Sequence, residues 1–466
     1  MDTKKLRQKI LNLAIHGKLV PQDPNDEPAS VLLERIKAEK ERLIKEGKIK
    51  RSKKPVKTSD TPHYQQDVPF EVPKSWVWCK LDDIVSFQGG YAYKSNTYVN
   101  QSDWQVIRIG NVKNDNLILD TQPVFVEDVI GKTTEKYLLK KDDILFTMTG
   151  TKGKRDYFYT AKVPLINKKL LLNQRVGCLR CFSSEINIDF LCLVLKGEYV
   201  LNAIFSTETG NVSQGNIGSE STLDLNIAIP PLTEQHRIVT EIKRWFALID
   251  QVEQDKVDLQ TTIKQTKSKI LDLAIHGKLV PQDPNDKPAI ELLKRINPDF
   301  TPCDNGHYPQ LPNNWTITPM QVLCALVDGD KQNGIERVNL DVKYLRGERE
   351  AKTLNSGKYI SANSLLILVD GENSGEVFRT PIDGYQGSTF KQLSINENMN
   401  TEYVLQVINL HRKILRENKV GSAIPHLNKK LFKEIEVPIP PYKEQMRIVE
   451  AINVTFKHLD VIMESL

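Results

Sequence analysis

Basic and amide side chains are the residues in this chain best able to do chemistry, and many lie between residues 141 and 180. That stretch holds nine Lys or Arg residues against three Asp residues, an excess that suits contact with nucleic-acid phosphates. Three of its cations lie in a loop that follows a predicted strand: Lys152, Lys154 and Arg155. Three later residues are of the types that contact adenine and guanine edges through paired hydrogen bonds: Asn173, Gln174 and Arg175. The alternative for each is a solvated basic face.

Other polar residues extend this candidate binding surface. Asn211 and Gln214 lie in a glycine-bounded loop of the first half. The analogous loop of the second half, residues 370–379, is more acidic, so we expect it to read a different base sequence. The candidates in the second half are Asn373, Ser374, Arg379, Gln386 and Lys391. The basic tract 45–57 could also line a nucleic acid, although a solvated linker is an equal alternative.

The catalytic motifs in the chain are incomplete. Ile439–Tyr442 resembles the (Asp/Asn)-Pro-Pro-Tyr signature of amino-methyltransferases, but Ile439 cannot accept a hydrogen bond from a target amine. Gly210–Gly215 has the glycine spacing of a P-loop without the lysine that neutralises phosphate. Glu46–Lys48 resembles a nuclease fragment, yet no strand precedes it and no acidic partner accompanies it. We therefore predict no catalytic residue.

Metal-ligand patterns are equally weak. Cys178 and Cys181 form one CxxC without a second pair, whereas a structural zinc site needs four ligands. His16 and His276 occupy equivalent predicted helix ends, where an imidazole commonly donates to terminal carbonyls. The six cysteines are too sparse and irregular for a disulfide framework. We predict no metal site.

Two repeated elements must position the candidate residues. Residues 9–26, KILNLAIHGKLVPQDPND, recur at 269–286 with one change, and residues 229–239 match 439–449 at eight of eleven positions. The offsets are 260 and 210, so the central block 229–296 corresponds first to 439–466 and then to 3–36. The pattern predicts a ring of two repeats opened inside a helix. Its N- and C-terminal segments should pack side by side about a pseudo-two-fold axis.

The repeated helices carry apolar residues on alternating four- and three-residue steps, a spacing typical of a coiled-coil seam. In the central helix, predicted over about residues 232–276, the seam comprises Ile242, Trp245, Ile249, Val252, Leu259, Ile263, Ile270 and Leu273. The terminal segments continue it through Leu6, Ile10, Leu13, Ile448, Ile452, Thr455, Leu459, Ile462 and Leu466. Gly17 and Gly277 supply the left-handed position that ends each helix. Such a helix would be roughly 65 Å long and act as a spacer.

The fold class is therefore predicted to be α+β. Short β-rich runs alternate with turns in two mixed α/β domains, which begin with the related sequences PKSW at Pro73 and PNNW at Pro312. Two long, antiparallel, coiled-coil-like helices with circular pseudo-two-fold symmetry separate these domains. The predicted segments are an N-terminal helical repeat with basic linker (1–60), a first domain (61–228), a central helical spacer (229–298), a second domain (299–438) and a C-terminal helical repeat (439–466).

Composition places the chain among ordinary globular proteins. It has 466 residues and a net charge of +5, with 39% hydrophobic and 26% charged residues. The start, MDTKKLRQKI, has no apolar signal core, and apolar runs such as 190–195 are far shorter than a membrane span. We expect a cytoplasmic protein that does not bind membranes.

The combined motifs resemble the specificity subunit of type I restriction-modification enzymes. The resemblance rests on two divergent domains that begin with Pro-x-x-Trp and end in Ile-Pro-Pro, and on repeated helices bearing EQxRIV and LAIHGKLVPQDPND. It covers essentially the whole chain. It implies two target recognition domains, each reading one half of a split sequence in double-stranded DNA. It also implies that the helices act as a ruler and dock two methyltransferase subunits.

The resemblance further implies that this chain is non-catalytic and holds no cofactor. Methyltransferase partners would bring S-adenosylmethionine, and restriction and translocation subunits would bring ATP and Mg²⁺. Two other interpretations stay open at the level of sequence. One is a fused methyltransferase and nuclease, which the missing catalytic motifs oppose, and the other is a structural adaptor without base readout, which the polar and basic loops oppose.

Overall fold

The computed structural model describes residues 2–49, 68–211, 213–302, 308, 310–420 and 425–466. The predicted boundary at residues 60 and 61 and most of the basic tract 45–57 lie outside these ranges. The chain divides into two compact units, Met1–Gln254 and Asp255–Leu466, called unit 1 and unit 2 below. Each unit combines one α/β domain with helices from both sides of it, because those helices share its hydrophobic core.

Unit 1 is a mixed α/β body whose strands are short. Its helices are α1 (Thr3–Ile15), α2 (Ala29–Lys45), α3 (Asp128–Thr133), α4 (Ile188–Leu195), α5 (Glu198–Ser206), α6 (Ser219–Leu223) and the first part of α7 (Leu232–Ile275). Its strands are β1 (Val77–Lys80), β2 (Val85–Gly89), β3 (Tyr98–Val99), β4 (Trp104–Ile107), β5 (Val112–Lys113), β6 (Asn116–Leu117), β7 (Phe125–Val126), β8 (Ile144–Thr147), β9 (Thr149–Gly150), β10 (Thr160–Lys162), β11 (Lys169–Leu172), β12 (Val176–Cys181), β13 (Thr209–Asn211), β14 (Gln214–Asn216) and β15 (Asn226–Ile229).

Two four-stranded sheets form the frame of unit 1. One has the antiparallel order β10-β8-β12-β2, and the other has the order β11-β4-β7-β3 with β11 and β4 parallel. All four residues of β8 are buried, and the Phe146 ring lies 5.2 Å from the Phe158 ring. This apolar packing fixes the strand from which the basic loop emerges. At the ends of the domain, β1 pairs with β15.

Unit 2 shares one four-stranded sheet and a terminal strand pair with unit 1, and a small closed barrel takes the place of the second sheet. Its helices are the rest of α7, α8 (Ala289–Ile296), α9 (Met320–Leu323), α10 (Val342–Leu345), α11 (Thr401–Glu417), α12 (Lys429–Glu434) and α13 (Tyr442–Ser465). Its strands are β16 (Thr316–Pro319), β17 (Cys324–Val327), β18 (Asp330–Leu340), β19 (Thr353–Ile360), β20 (Leu365–Leu368), β21 (Val377–Arg379), β22 (Gly384–Gln386), β23 (Phe390–Ile395) and β24 (Glu436–Ile439). The sheet order is β17-β23-β20-β21, with a small closed barrel of β18, β19 and β22 and a terminal pair β16-β24.

Each unit contains an antiparallel helix pair. In unit 1, α1 lies along α7: Arg7 contacts Asp250 at 2.6 Å, and further along the chain Gln22 donates to Glu234 at 2.6 Å. In unit 2 the rest of α7 lies along α13 through Lys267 with Asp460 and Gln282 with Glu444. Those distances are 2.5 and 2.7 Å. Adding 260 to the first residue of each unit 1 contact and 210 to the second gives the corresponding contact in unit 2.

The turn after each repeated helix also has the same chemistry in both units. Gly17 and Gly277 both have φ +66°, and a Cβ at either would lie 2.5 Å from the Cγ of Pro73 or Pro312. The two glycines are therefore required by backbone conformation and by close packing on the Pro-x-x-Trp motif. Each domain thus begins next to the end of a repeated helix.

The predicted heptad seam is only half buried. Residues of α7 that are seven or fourteen positions apart are buried: Ile242, Ile249, Ile263 and Ile270. The intervening positions Trp245, Val252 and Leu259 are exposed, as are Leu13 and Ile462 on the terminal helices. These five positions of the predicted seam therefore lie on exposed sides of their helices. In unit 1, α7 also contacts the start of α4, where Lys243 donates to Asp189 at 2.7 Å, so one partner helix alone does not set which positions are buried.

Candidate nucleic-acid interface

Three of the predicted polar segments of unit 1 converge beside the end of β8. Met148 donates its backbone NH to the carbonyl of Arg175 at 3.0 Å, and its own carbonyl accepts from Ile217 at 2.9 Å. One residue thus joins the loop 147–155, the turn 173–175 and the β13-β14 hairpin. We call these three segments the unit 1 edge.

The loop 147–155 is held in place by a half-buried carboxylate. Glu208 accepts from the backbone NH of Gly153 at 3.1 Å and from the hydroxyl of Tyr157 at 2.6 Å. Burial, together with this carboxylate, raises the pKa of Tyr157, so its hydroxyl stays a donor at neutral pH. Asp156 accepts from the NH of Thr151 at 2.8 Å. The loop is therefore held in one conformation while its lysines remain exposed.

The three loop cations are all exposed, but they differ in internal support. Lys152 donates to the carbonyl of Gly210 at 2.8 Å, which ties the loop to the hairpin. Arg155 donates to Asn202 at 2.8 Å and lies over the Phe205 ring. Lys154 makes no side-chain hydrogen bond or ion pair with any residue that the structure describes. All three therefore lie on the exposed side of the loop.

The turn 173–175 presents two of its three predicted side chains. Gln174 and Arg175 are exposed, whereas Asn173 is 8% exposed and accepts from the NH of Arg175 at 3.3 Å. The predicted base contact of Asn173 is therefore not supported, because its amide shapes the turn. Gly90 packs against this turn, and a Cβ there would lie 2.1 Å from the Asn173 carbonyl oxygen.

The hairpin brings the last two predicted residues of unit 1 to the same edge. Asn211 and Gln214 are opposite each other in the β13-β14 ladder, and both are exposed. β14 also pairs with β9 of the basic loop. Predicted residues that are far apart in sequence therefore lie on adjacent strands.

One exposed aromatic residue at this edge was missed by the sequence reasoning. Tyr91 is 42% exposed, its carbonyl accepts from the NH of Gln174 at 3.0 Å, and its ring packs with Tyr93 and Tyr137 at ring distances of 4.9 and 5.5 Å. A Gly-Gly pair directly before an aromatic residue was the available signal. Exposed tyrosines can stack on bases as well as on each other.

Not every cation of the basic stretch is available for binding. Arg180 pairs with the buried carboxylate of Asp143 at 2.5 Å, and Lys162 pairs with Asp189 at the start of α4. These contacts are structural. The charge excess counted in the sequence therefore overstates the charge offered to a ligand.

Unit 2 has the same backbone junction. Val369 donates to the Thr389 carbonyl at 2.9 Å and accepts from Leu427 at 2.7 Å, as Met148 does with its two neighbours. The counterpart of the turn 173–175 is consequently residues 387–389, which the sequence reasoning did not select. The counterpart of the basic loop is residues 370–376, where Asp370 pairs with His426 at 2.6 Å.

Two of the residues predicted for unit 2 do not reach this junction. Ser374 is fully buried, so its predicted contact with a ligand was wrong. Arg379 lies opposite Leu365, at the other end of β20, and pairs with Glu402 on α11. It occupies the structural position that Lys162 holds in unit 1. Asn373 is half-buried, and its carbonyl accepts from Glu376 at 3.2 Å.

The remaining predicted residues of unit 2 surround one carboxylate. Asp328 pairs with Lys391 at 2.6 Å and Lys358 at 2.9 Å and accepts from Gln386 at 3.0 Å. Lys391 and then Lys358 hold the pKa of Asp328 well below its usual range. Gln386 also accepts from the NH of Gly329 at 3.1 Å. Gln386 and Lys391 therefore support the loop before β18.

The described ranges contain no group of three or more residues that could hold a metal ion. Burial raises the pKa of the Cys178 thiol above its usual range and that of Cys181 to about 12, so neither is a thiolate at neutral pH. Within the same ranges, no helix has the length and apolar character needed to cross a membrane.

Comparison with known proteins identifies one family. A family model described as the type I restriction modification DNA specificity domain matches residues 73–261 and 328–463. The EcoEI specificity subunit of Escherichia coli is 30% identical over 348 residues, which cover 63% of this chain and 54% of that protein. The EcoAI specificity subunit of Escherichia coli is 30% identical over 355 residues, with 63% and 55% coverage. The chain thus spans about half the length of these two relatives.

Solved structures share the fold at low sequence identity. The HsdS subunit from Thermoanaerobacter tengcongensis has a TM-score of 0.51 and 15% identity, and the match covers 85% of this chain and 93% of that one. A chain from a structure on complex assembly and conformational transition of the type I R-M system has a TM-score of 0.56 and 14% identity. That match covers 85% of this chain and 94% of the other.

Proposed function

This chain belongs to the family of type I restriction-modification DNA specificity subunits, and from this premise we propose that it recognises a specific sequence in double-stranded DNA. The observation that carries the proposal is the unit 1 edge, where Met148 joins three polar segments. Exposed cations on one segment suit phosphates, and Gln174 and Arg175 on the next suit base edges. Such a combination can position DNA and read it.

The recognised site is proposed to be bipartite and asymmetric. Unit 2 has the same backbone junction at Val369, but its loop 370–376 carries acidic residues where unit 1 carries cations. Two domains that share a backbone arrangement but present different side chains should recognise different half-sites. We expect a cytoplasmic protein, because its proposed ligand is DNA inside the cell.

Two methyltransferase subunits are the proposed protein partners, and restriction subunits join the same complex. Support comes from the repeated helices, which are nearly identical in sequence and carry matched contacts, such as Asp26 with Arg237 at 2.6 Å and Asp286 with Arg447 at 2.7 Å. Two equal surfaces suit two copies of one partner. The circular arrangement of the repeats remains part of this proposal.

The chain is a specificity subunit rather than an enzyme, as are the relatives that it matches. Methylation and cleavage would belong to partner subunits, with S-adenosylmethionine, ATP and Mg²⁺ bound there. A fused methyltransferase and nuclease would need catalytic residues that the motifs Ile439–Tyr442 and Glu46–Lys48 do not supply. A structural adaptor would not need the exposed amides of the unit 1 edge.

An electrophoretic mobility shift assay separates these possibilities. The full chain, with and without its co-encoded methyltransferase subunit, is titrated into a pool of random duplexes, and the bound DNA is sequenced. We expect one gapped, asymmetric motif to be enriched. Binding without any enriched motif would support the adaptor, whereas methylation by the chain alone would support the fused enzyme.

A further inference from the structure

Unit 2 carries a two-stranded ribbon that lies outside its four-stranded sheet. β18 and β19 pair antiparallel, with Lys331 opposite Lys358 and Asn333 opposite Ser356. The described residues of both strands are exposed or half-exposed except for Leu340 and Ile360 at their ends. A ribbon of this kind has little core of its own and is marginal without something packed on it.

One face of the ribbon is engaged within unit 2. Arg337 donates to Gln332 at 3.3 Å and lies 4.5 Å from the Tyr359 ring centroid. The Tyr359 hydroxyl donates to Asp383 at 3.0 Å, and the Tyr385 hydroxyl donates to the carbonyl of Ile335 at 2.6 Å. These contacts hold the ribbon in a fixed orientation against β22 and the residue before it.

The other face has polar side chains without internal partners. Lys331, Asn333 and Ser356 are exposed, and their side chains make no hydrogen bond or ion pair with residues in the described ranges. Lys331 lies directly across the ladder from Lys358, whose ammonium is paired with Asp328 at 2.9 Å. Of these two lysines, Lys331 is therefore the one available to an anion.

The ribbon begins at the position that corresponds to the unit 1 edge. Asp328 and Gly329 immediately precede β18, and a Cβ at Gly329 would lie 2.1 Å from the Tyr359 carbonyl oxygen. Gly90 holds the corresponding position in unit 1, directly after β2, but there the close contact is with Asn173 of the turn 173–175. The end of the corresponding strand therefore leads to Tyr91 in unit 1 and to the ribbon in unit 2.

We infer that this ribbon is the part of unit 2 that enters the DNA major groove. The groove is about 12 Å wide and admits a two-stranded β-ribbon. Asn333 and Ser356 would contact base edges, while Lys331 would contact a phosphate beside them. The acidic loop 370–376 is poorly suited to phosphates, so the two units would read DNA with different elements. The inference rests on the proposed function.

Asn333→Ala and Asn355→Ala form a matched pair for testing this. Both asparagines are exposed, but they occupy opposite faces of the ribbon, because Asn355 is one residue from Ser356. The assay is methylome sequencing of cells that contain the full complex, together with equilibrium binding of a duplex series altered at each position. We expect Asn333→Ala to relax one position of a single half-site, with discrimination falling about 5- to 150-fold. Asn355→Ala should leave the motif unchanged.

Lys331→Ala tests the phosphate contact separately. It should weaken binding to all duplexes alike and reduce the log-log salt slope by about one unit. Thermal unfolding of each variant checks that the fold is intact. An unchanged motif and slope for both ribbon variants, in a complex whose wild type reads a gapped motif, would overturn the ribbon proposal and leave the proposed function standing. If the wild type reads no motif, the proposed function itself fails.

Discussion

Basic side chains that are close together in sequence have different roles in unit 1: some are free to bind a ligand and others form internal ion pairs. Lys154 is exposed without a described partner, whereas Lys162 pairs with Asp189 and so joins β10 to α4. Only the first kind of cation is free to neutralise a phosphate and so displace the counterions condensed on DNA. Net charge in a stretch is therefore a poor measure of binding capacity until its ion pairs are known.

Replacing Lys152, Lys154 and Arg155 together by Ala should weaken DNA binding and flatten its salt dependence. The log-log slope should fall by about one unit for each phosphate that the loop no longer neutralises. Fluorescence anisotropy with a cognate duplex over a series of salt concentrations measures this slope. Lys162→Ala is the control, because it removes a cation from the same stretch while its expected effect is on stability. Equal slopes for the wild type and the triple variant would rule out phosphate binding by the loop.

The ion pair of Asp26 with Arg237 gives a prediction about pH. The hydrogen bond from Arg237 is the main reason that the pKa of Asp26 lies below its ordinary value of 3.8 in the folded protein. Its contribution to stability is therefore present above pH 3.8 and is lost as the pH falls through the lower folded-state value.

Asp26→Asn should accordingly lower the free energy of unfolding at pH 7 by about 1–2 kcal/mol, a range that allows for the partial exposure of Arg237. The difference from wild type should shrink as the pH is lowered below 3.8. Urea unfolding at several pH values measures both effects, and Arg237→Gln in a double-mutant cycle isolates the pair. A pH-independent deficit would mean that the charge of Asp26 is not what stabilises the turn.

At the scale of elements, the middle of α7, between residues 243 and 269, buries only Ile249 and Ile263. Ile263 is 3% exposed, whereas Leu259, four residues earlier, is 40% exposed. The two side chains have similar size, so their positions on the helix determine how much each contributes to the free energy of unfolding. Leu259 and the other exposed seam residues leave an apolar line on the helix.

Ile263→Ala should cost about 2–4 kcal/mol of unfolding free energy, since it leaves a cavity in the helix pair with little room to relax. Leu259→Ala should cost less than about 1 kcal/mol, because much of its surface is already exposed. Chemical denaturation of the two variants at the same pH makes the comparison. Similar losses for both would show that the two positions are buried alike in solution.

The helices and their ends were predictable because their signals are local and repeated. The central helix was predicted over 232–276 and lies at Leu232–Ile275, and Gly17 ends α1 through the expected left-handed turn. The depth of burial around α7 was not predictable, since it depends on how many helices face it. Heptad spacing reports the apolar positions and not the number of partners.

The candidate site was predictable to a different degree in each unit. In unit 1, a charge cluster and an Asn-Gln-Arg turn happened to fall at the real junction. In unit 2 the counterpart of the Asn-Gln-Arg turn is residues 387–389, whose composition is ordinary and whose alignment with unit 1 depends on backbone pairing at Val369. Ser374 shows the limit of such reasoning, because polarity does not reveal that a side chain is fully buried.

At the scale of the molecule, each unit has its own terminal strand pair, where the start of its α/β domain meets the end. β16 pairs with β24, with Thr316 opposite Ile439, so the predicted boundary at residue 438 falls inside a strand. An exchange of this domain with that of a related protein must therefore include both strands. The repeated helices outside this pair are nearly the same in the two halves, which makes them natural junctions.

Replacing residues 299–439 by the corresponding segment of another specificity subunit should therefore change one half of the recognised sequence and leave the other intact. The helix contacts of Lys267 and Gln282 lie outside the exchanged segment, so assembly with the methyltransferase should be retained. Methylome sequencing of cells with the hybrid measures both halves in one experiment. The reciprocal hybrid, exchanged between β1 and β15 in unit 1, is the control and should alter only the other half. If either hybrid assembled normally but changed both halves, the two units would have to be reading DNA jointly, and independent half-site recognition would be wrong.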